Sequence, residues 1–331
     1  MSILIYGATG YTGSMVARHA RATGLDIVIG GRDALALASM AHELDVPHRV
    51  FQVDGDDAVR ALAGVGAVLN CAGPFARTAE PLMRACIASG VHYLDLTAEI
   101  NVYRLAERLG PQAAAAGVML LPGVGWDVVP TDCLALRLAR QVEAPRTLRI
   151  ALQVPGSMSR GSAASAAGIV AAGLMARVDG LLVQTPEATG RAFDFGQGPM
   201  ECMPLSFGDL VTAWHSTRIG DIAMFVNITG SAFRSGDLAD LPAGPSAQER
   251  DAQRARAAVE VTGADGIVTR AVIETVNGYS YTPLVAVEAA RRVEAGQWRS
   301  GFETPARIFG ADFAESIPGT HITNQLKQAS S

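Results

Sequence analysis

The chain holds a single lysine in 331 residues, Lys327, close to its C-terminal end; every other side-chain cation is an arginine. A Schiff-base lysine and a Tyr-Lys catalytic pair are thereby excluded from the body of the protein. Basic blocks are absent as well, and the net charge is −5. A nucleic-acid partner is not expected, because binding phosphate backbones needs clustered cations. The four cysteines, Cys71, Cys86, Cys133 and Cys202, form no CxxC pair, and no HExxH or zinc-like spacing occurs. No metal site is expected, and the cysteines read as the reduced thiols of a cytoplasmic protein. Long apolar runs are also missing. Ala163–Ala176, the longest run of small apolar residues, is interrupted by Ser165, Gly168 and Gly173. It falls short of the roughly 20 residues that span a bilayer, so no integral membrane span is expected. Its two glycines would be costly in an exposed helix, and it reads as a helix buried under a sheet or at a dimer contact. The first residues already form a strand, so no leader is expected.

What is present is apolar and compact: 49% hydrophobic and 18% charged residues, at a length sufficient for two cores. The first third alternates short apolar strands (Ser2–Tyr6, Asp26–Ile29, Arg49–Val53, Ala67–Asn70, Val91–Asp95, Val118–Leu121) with helical stretches. Those stretches are Tyr11–Thr23, Ala34–Leu44, Asp57–Ala63, Thr78–Ser89 and Ile100–Ala116. Strands alternating with helices, without hairpin signals, predict a parallel doubly wound sheet. Beyond Pro122 the texture changes. Leu148–Val154, Ala223–Thr229 and Ile267–Val276 read as longer strands, Leu238–Gln248 as a surface loop, and Tyr281–Glu294 as a returning helix. The expected fold class is α/β, a Rossmann-type doubly wound parallel sheet with an inserted α+β domain for substrate or dimerisation. The expected division is 1–130 plus about 280–320, about 131–279, and a loose tail at 321–331.

Gly7-Ala8-Thr9-Gly10-Tyr11-Thr12-Gly13 follows the first strand and opens the first helix. Gly7 suits a tight turn, Gly10 lets backbone approach a pyrophosphate, and Gly13 lets helix pack on strand. A glycine-rich turn without a ligand is the alternative. An NAD site ends its second strand with an acid that binds the ribose 2′-hydroxyl; here that strand runs into Gly30-Gly31-Arg32-Asp33. Small residues leave room for a 2′-phosphate and Arg32 offers it a forked cation, which points to NADP. The alternatives to that favoured role are that Arg32 pairs with Asp33 or is a plain surface arginine. Asp54 borders the adenine or is a turn aspartate. Asn70-Cys71-Ala72-Gly73-Pro74-Phe75 ends the fourth strand at the carboxyl edge. Ala72 and Gly73 permit a close approach there, with Cys71 as a spacer rather than a nucleophile.

Two further strand ends carry polar groups: His92-Tyr93-Leu94-Asp95-Leu96-Thr97-Ala98-Glu99, and Pro122 through Asp132. Glu99 and Asp127 are the candidate catalytic acids, each with a competing structural role. For Asp127 that role is bonding the backbone amides near Val129 and Thr131. Asp95 and Asp132 read as braces or caps, and His92 as a packed histidine. Arg160 suits a substrate carboxylate or is a solvated surface cation.

Together GATGYTG, GGR, NCAGPF, HYLDLTAE and PGVGWDVVPTD resemble the saccharopine dehydrogenase-like reductase family, which includes trans-acting enoyl reductases. The likeness is good to about Asp132 and looser beyond. It implies that Gly7, Thr9, Gly10, Tyr11, Thr12, Gly13 and Arg32 carry NADP, with the Ala72–Phe75 loop bordering it. It also implies a cytosolic or membrane-peripheral protein, often a homodimer. The expected function is NADPH-dependent reduction of a conjugated C=C or a C=N bond in a small-molecule or acyl substrate. A non-catalytic NADP-binding sensor or scaffold is the alternative.

Overall fold

The structure, a computed structural model, describes residues 1–185, 189–229, 242–325 and 328–329. Lys327 lies outside the described residues, as do part of the expected Leu238–Gln248 loop and part of the expected loose tail at 321–331, whose described residues include two short strands rather than a loose end. The chain folds into two compact units. The first comprises Met1–Thr97, Asn101–Gly125 and Thr282–Glu303; the second comprises Ala98–Ile100, Trp126–Tyr281 and Thr304–Ser331.

The first unit begins with β1 (Ser2–Tyr6), α1 (Tyr11–Ala22), β2 (Ile27–Gly31), α2 (Ala34–Leu44), β3 (His48–Val50) and α3 (Asp56–Ala61). It continues with β4 (Val65–Asn70), α4 (Phe75–Ser89), β5 (His92–Asp95), α5 (Ile100–Ala115) and β6 (Met119–Leu121). Ile3, Leu4, Ile5, Ala67, Val68, Leu69 and Leu94 are essentially inaccessible to solvent. Such uninterrupted apolar strands mark a parallel sheet covered on both faces. Asp33 starts α2 by accepting the Ala36 amide at 3.0 Å, and α4 ends on Gly90 in the left-handed region (φ 68°).

The second unit holds α6 (Val129–Ala139), β7 (Pro145–Pro155), α7 (Arg160–Ala171), β8 (Met175–Val178), β9 (Leu181–Gln184), β10 (Arg191–Asp194) and β11 (Pro199–Pro204). It goes on with α8 (Asp209–Thr217), β12 (Asp221–Thr229), α9 (Ala247–Asp251), β13 (Arg254–Gly263) and β14 (Ile267–Val276). Then α10 (Gly278–Glu294) and β15 (Gly301–Phe302) return the chain to the first unit, and α11 (Pro305–Phe309), β16 (His321–Asn324) and β17 (Gln328–Ala329) complete the second.

The first sheet runs β15-β6-β5-β4-β1-β2-β3, and every pair is parallel. Strand order reverses between β1 and β4, the point where dinucleotides cross such sheets. The second sheet is mixed, ordered β10-β11-β12-β7-β13-β14-β16, with β7 parallel to β12 and antiparallel to β13. On one face Phe193, Phe195, Cys202, Phe225, Ala151, Ala258 and Val272 form a core. Beside it the buried Glu260 carboxylate takes Arg270 at 2.7 Å and pairs with Arg191. The other face of β13 packs on α6, which is buried almost all round.

Several expected bounds shift. The expected Thr78–Ser89 helix begins at Phe75, with Pro74 in extended conformation as its N-cap. The third strand stops at Val50. The Ala163–Ala176 run is not one helix: α7 ends at Ala171, Gly173 turns with φ 79°, and Met175 starts β8. Nor is it buried under the second unit's sheet; Ile169 is the buried residue of α7, and Val170 is 62% exposed. Among the described residues, no helix is long and apolar enough to cross a membrane, and no cluster of three or more His, Cys, Asp or Glu could hold a metal ion.

Candidate functional site

In the first unit the glycine turn lies between β1 and α1 and behaves as a cradle. Gly7 sits at φ 80°, and a Cβ there would come within 2.8 Å of the Ala72 backbone nitrogen. A Cβ on Gly13 would overlap the Gly7 carbonyl oxygen, so this residue lets α1 lie against the turn. Gly10 differs. A Cβ there meets only that same carbonyl, at 3.2 Å, and otherwise enters open space. Gly10 is also the N-cap of α1, with no side chain bonded at the cap. An open, uncapped helix start is where a pyrophosphate fits. Thr9 is exposed beside it, and Tyr11 and Thr12 are half-buried.

Arg32 follows β2 and is exposed, with no ion pair among the described residues. The alternative pairing with Asp33 is not made, since that carboxylate caps α2. Asp54 is exposed after the buried Val53. Both charges act on one phenol: burial raises the Tyr6 pKa, Arg32 lowers it and Asp54 raises it. Tyr6 packs on Phe51 with ring centroids 4.9 Å apart. A Cβ on Gly30 would press on that same Phe51 and on Leu4, each at 3.2 Å. The residues present therefore fit a dinucleotide with a 2′-phosphate.

Cys71, Ala72, Gly73, Pro74 and Phe75 lead from β4 into α4, and the Cys71 amide bonds the Tyr6 carbonyl at 2.8 Å. Burial and the nearby Asp95 charge push the Cys71 thiol far above its ordinary value. A thiolate is excluded there, which suits a spacer. His92 accepts the Met119 amide at 3.1 Å, stacks on Trp298 at 4.4 Å and is held below its usual pKa by burial. It is a packed, neutral ring.

Glu99 and Asp127 belong to the second unit and take different surroundings. Glu99 is buried, and its Oε1 accepts the Ser165 hydroxyl of α7 at 2.6 Å. On the same helix, Ser159 caps the first turn. The Tyr279 hydroxyl accepts from the Ser159 amide and donates to Ser162 Oγ, both at 2.8 Å. Arg160 is exposed at the start of α7. Ser165 and Tyr279 were not singled out as site residues from sequence; nothing in their neighbours signals these partners.

Asp127 lies in the turn before α6. Its carboxyl does not take the amides anticipated for a structural role: the Asp132 amide and the Thr131 hydroxyl both go to the Val128 carbonyl, at 2.9 Å. Burial alone lifts Asp127 from 3.8 to about 6. Its charge also bears on Asp209, which is fully buried at the start of α8 with neither carboxyl oxygen hydrogen-bonded. Burial, then Asp132, drive Asp209 well above the carboxylate range. Asp132 Oδ2 accepts the Ala306 amide at 2.9 Å and so braces α11, the structural role anticipated for it. Trp126, next to Asp127, is an anchor: its indole donates to Thr275 Oγ1 at 2.9 Å, and a Cβ on Gly278 would press on its ring at 3.3 Å.

Residues 3–121 match the family model described as the saccharopine dehydrogenase NADP binding domain. A trans-acting enoyl reductase of Mycobacterium leprae is 34% identical over 154 residues, 44% of this chain and 37% of that protein. The protein of that name from Mycobacterium tuberculosis is 31% identical over 148 residues, 42% of this chain and 35% of its own length. The matched region thus spans little more than a third of these relatives. Apo saccharopine dehydrogenase (L-Glu forming) from Saccharomyces cerevisiae aligns over 99% of this chain and 100% of its own, with a TM-score of 0.65 and 13% identity. GenD2 from gentamicin A biosynthesis, solved with NAD, aligns over 98% and 96%, with a TM-score of 0.50 and 16% identity. At these identities the two structures establish a shared fold and nothing more.

Proposed function

We propose, from the match of residues 3–121 to the family model of the saccharopine dehydrogenase NADP binding domain, that the chain is an NADPH-dependent oxidoreductase that reduces a conjugated C=C or a C=N bond. The observation that carries the reading is the free Arg32 guanidinium at the end of β2, where an acid would serve NAD. The bound dinucleotide supplies hydride; the protein binds, orients and handles the proton. Gly7, Gly10 and Gly13 shape the pyrophosphate cradle, Arg32 holds the 2′-phosphate, Asp54 borders the adenine, and Cys71–Phe75 line the loop beyond the switch point. With a pKa near neutrality, Asp127 can hold a proton and release it. Glu99, fixed by Ser165, orients substrate.

A conjugated C=C bond is the preferred acceptor. The relatives with 31–34% sequence identity are named enoyl reductases, whereas the likeness to saccharopine dehydrogenase is at the level of fold. Arg160, exposed at the start of α7, suits a carboxylate on the substrate. Steady oxidation of NADPH with members of a panel of enones and imines tests the proposal. Tight NADPH binding with no turnover across the panel would assign the chain to a sensor or scaffold role instead.

A further inference from the structure

At the carboxyl edge of the first sheet, three residues that take no part in the proposed chemistry form one continuous polar chain. Asn70, Tyr93 and Asp95 are all fully buried. Asn70 and Asp95 are register partners across β4 and β5, and Tyr93 shares the face of Asp95 two residues along β5. The direction of every bond is set. Thr78 donates its hydroxyl to the Ala72 carbonyl at 2.7 Å and therefore accepts from Asn70 Nδ2 at 3.1 Å. The same Nδ2 gives its second hydrogen to Tyr93 OH at 3.1 Å, and Asn70 Oδ1 accepts the Ala72 amide at 3.0 Å. With one lone pair so engaged, Tyr93 donates onward to Asp95 Oδ2 at 2.8 Å. Asp95 Oδ1 closes the chain by accepting the amides of Thr97 at 3.0 Å and Gly123 at 2.9 Å. One carboxylate thus holds the loops that leave β4, β5 and β6. Gly123 sits at φ 78° under the Tyr103 hydroxyl, which itself bonds the Thr97 carbonyl at 2.5 Å.

We propose that Asp95, acting through Tyr93 and Asn70, is a positioning residue for the nicotinamide half of the dinucleotide. The inference rests on the dinucleotide reading given above. In a sheet of this order the adenosine lies over β1, β2 and β3 and the nicotinamide over β4, β5 and β6. The side chains of the network, Asn70, Tyr93 and Asp95, all stand on the second group. Its output is backbone: the amide and carbonyl of Ala72, which abuts Gly7, and the amide of Gly123. The bonds just described run to Thr78, Ala72, Thr97 and Gly123, away from the Gly30–Asp33 turn in sequence. Weakening the chain should therefore loosen the grip on one half of the cofactor and spare the other, a split that general destabilisation does not produce.

The test uses the full chain and two probes, NADPH and the fragment 2′,5′-ADP, titrated by calorimetry against the unaltered protein, Tyr93→Phe and Thr78→Val. Each substitution keeps the side chain's shape and removes one hydroxyl. The expected result is a Kd for NADPH raised about tenfold or more, the scale of one or two buried groups left unpaired. The Kd for 2′,5′-ADP should stay within about twofold, which also certifies the folded first unit. Equal weakening of both probes in both variants overturns the inference, as does unchanged NADPH affinity in a variant that still binds the fragment. If Tyr93→Phe does not fold, Thr78→Val alone decides between these outcomes. Failure of the unaltered protein to bind either probe would remove the dinucleotide reading, and this inference with it.

Discussion

Ser165 donates its hydroxyl to Glu99 Oε1 at 2.6 Å, tying the segment after β5 to the middle of α7. Glu99 Oε1 is therefore an acceptor held in one orientation. Removing the donor leaves a buried carboxylate with one partner fewer. Ser165→Ala should lower unfolding stability by about 1.5–3 kcal/mol, the range for a hydrogen bond to a charged group. Glu99→Gln keeps a carbonyl for Ser165 and should cost less. Urea denaturation of both variants checks the order; a Ser165→Ala midpoint equal to that of the unaltered chain would show that the contact contributes nothing.

Arg32 is the free cation at the end of β2. The unaltered protein should bind NADPH more tightly than NADH, and Arg32→Ala should remove most of that preference while leaving NADH affinity nearly unchanged. A bidentate contact to a dianionic phosphate contributes roughly 1.5–3 kcal/mol, or about ten- to hundredfold in Kd. Calorimetric titration of both cofactors against both proteins measures it. Equal affinities in the unaltered chain would refute the assignment.

Gly10 and Gly13 should separate binding from stability. A methyl group at Gly13 meets backbone, while at Gly10 it enters open space apart from one contact at 3.2 Å. Gly13→Ala is expected to destabilise the protein by about 1–3 kcal/mol through overpacking. Gly10→Ala should leave the denaturation midpoint almost unchanged and still abolish tight NADPH binding, because its methyl group takes the pyrophosphate's place. Normal NADPH affinity in Gly10→Ala would remove that residue from the cradle.

The first sheet was readable because its signals are local. Gly7 needs a left-handed φ, Asp33 caps its own helix, and β1 and β4 are unbroken apolar runs. The second unit was readable only in part: Leu148–Val154, Ala223–Thr229 and Ile267–Val276 are strands as expected, within β7, β12 and β14, while its other determinants lie far apart in sequence. Arg254–Gly263 begins Arg-Ala-Arg-Ala-Ala-Val-Glu-Val, with three alanines, two arginines and a glutamate that favour helix, yet it is β13 at the heart of the mixed sheet. Its charges find Glu274, Arg191 and Arg270 on other strands, and tertiary pairing overrides propensity. The small residues of Ala163–Ala176 suggested one buried helix, whereas Gly173 ends it and Met175 begins a strand. At the candidate site, the glycine turn and Arg32 stood out by residue type. Asn70, Tyr93 and Asp95 become a unit only when two strand ends and the Gly123 turn meet.

Asp127 carries the last prediction, and its two parts have opposite signs. Its carboxyl is lifted from 3.8 to about 6 by burial, so the folded state prefers the protonated form. The group costs no stability at a pH below its unfolded value. Its cost grows as pH rises past 3.8 and levels off above about 6. Asp127→Asn, which never charges, should therefore be more stable than the unaltered chain near pH 8, and the difference should shrink toward pH 4. Catalysis should move the other way. If Asp127 delivers the proton, turnover in the unaltered enzyme falls as pH rises through about 6, and the asparagine variant loses about a hundredfold or more while still binding NADPH. Thermal melts and steady-state rates across the pH range read both parts on the same two proteins. A variant that is stabilised at high pH and remains fully active, with an unchanged pH profile, would leave the burial intact and remove the carboxyl from the chemistry.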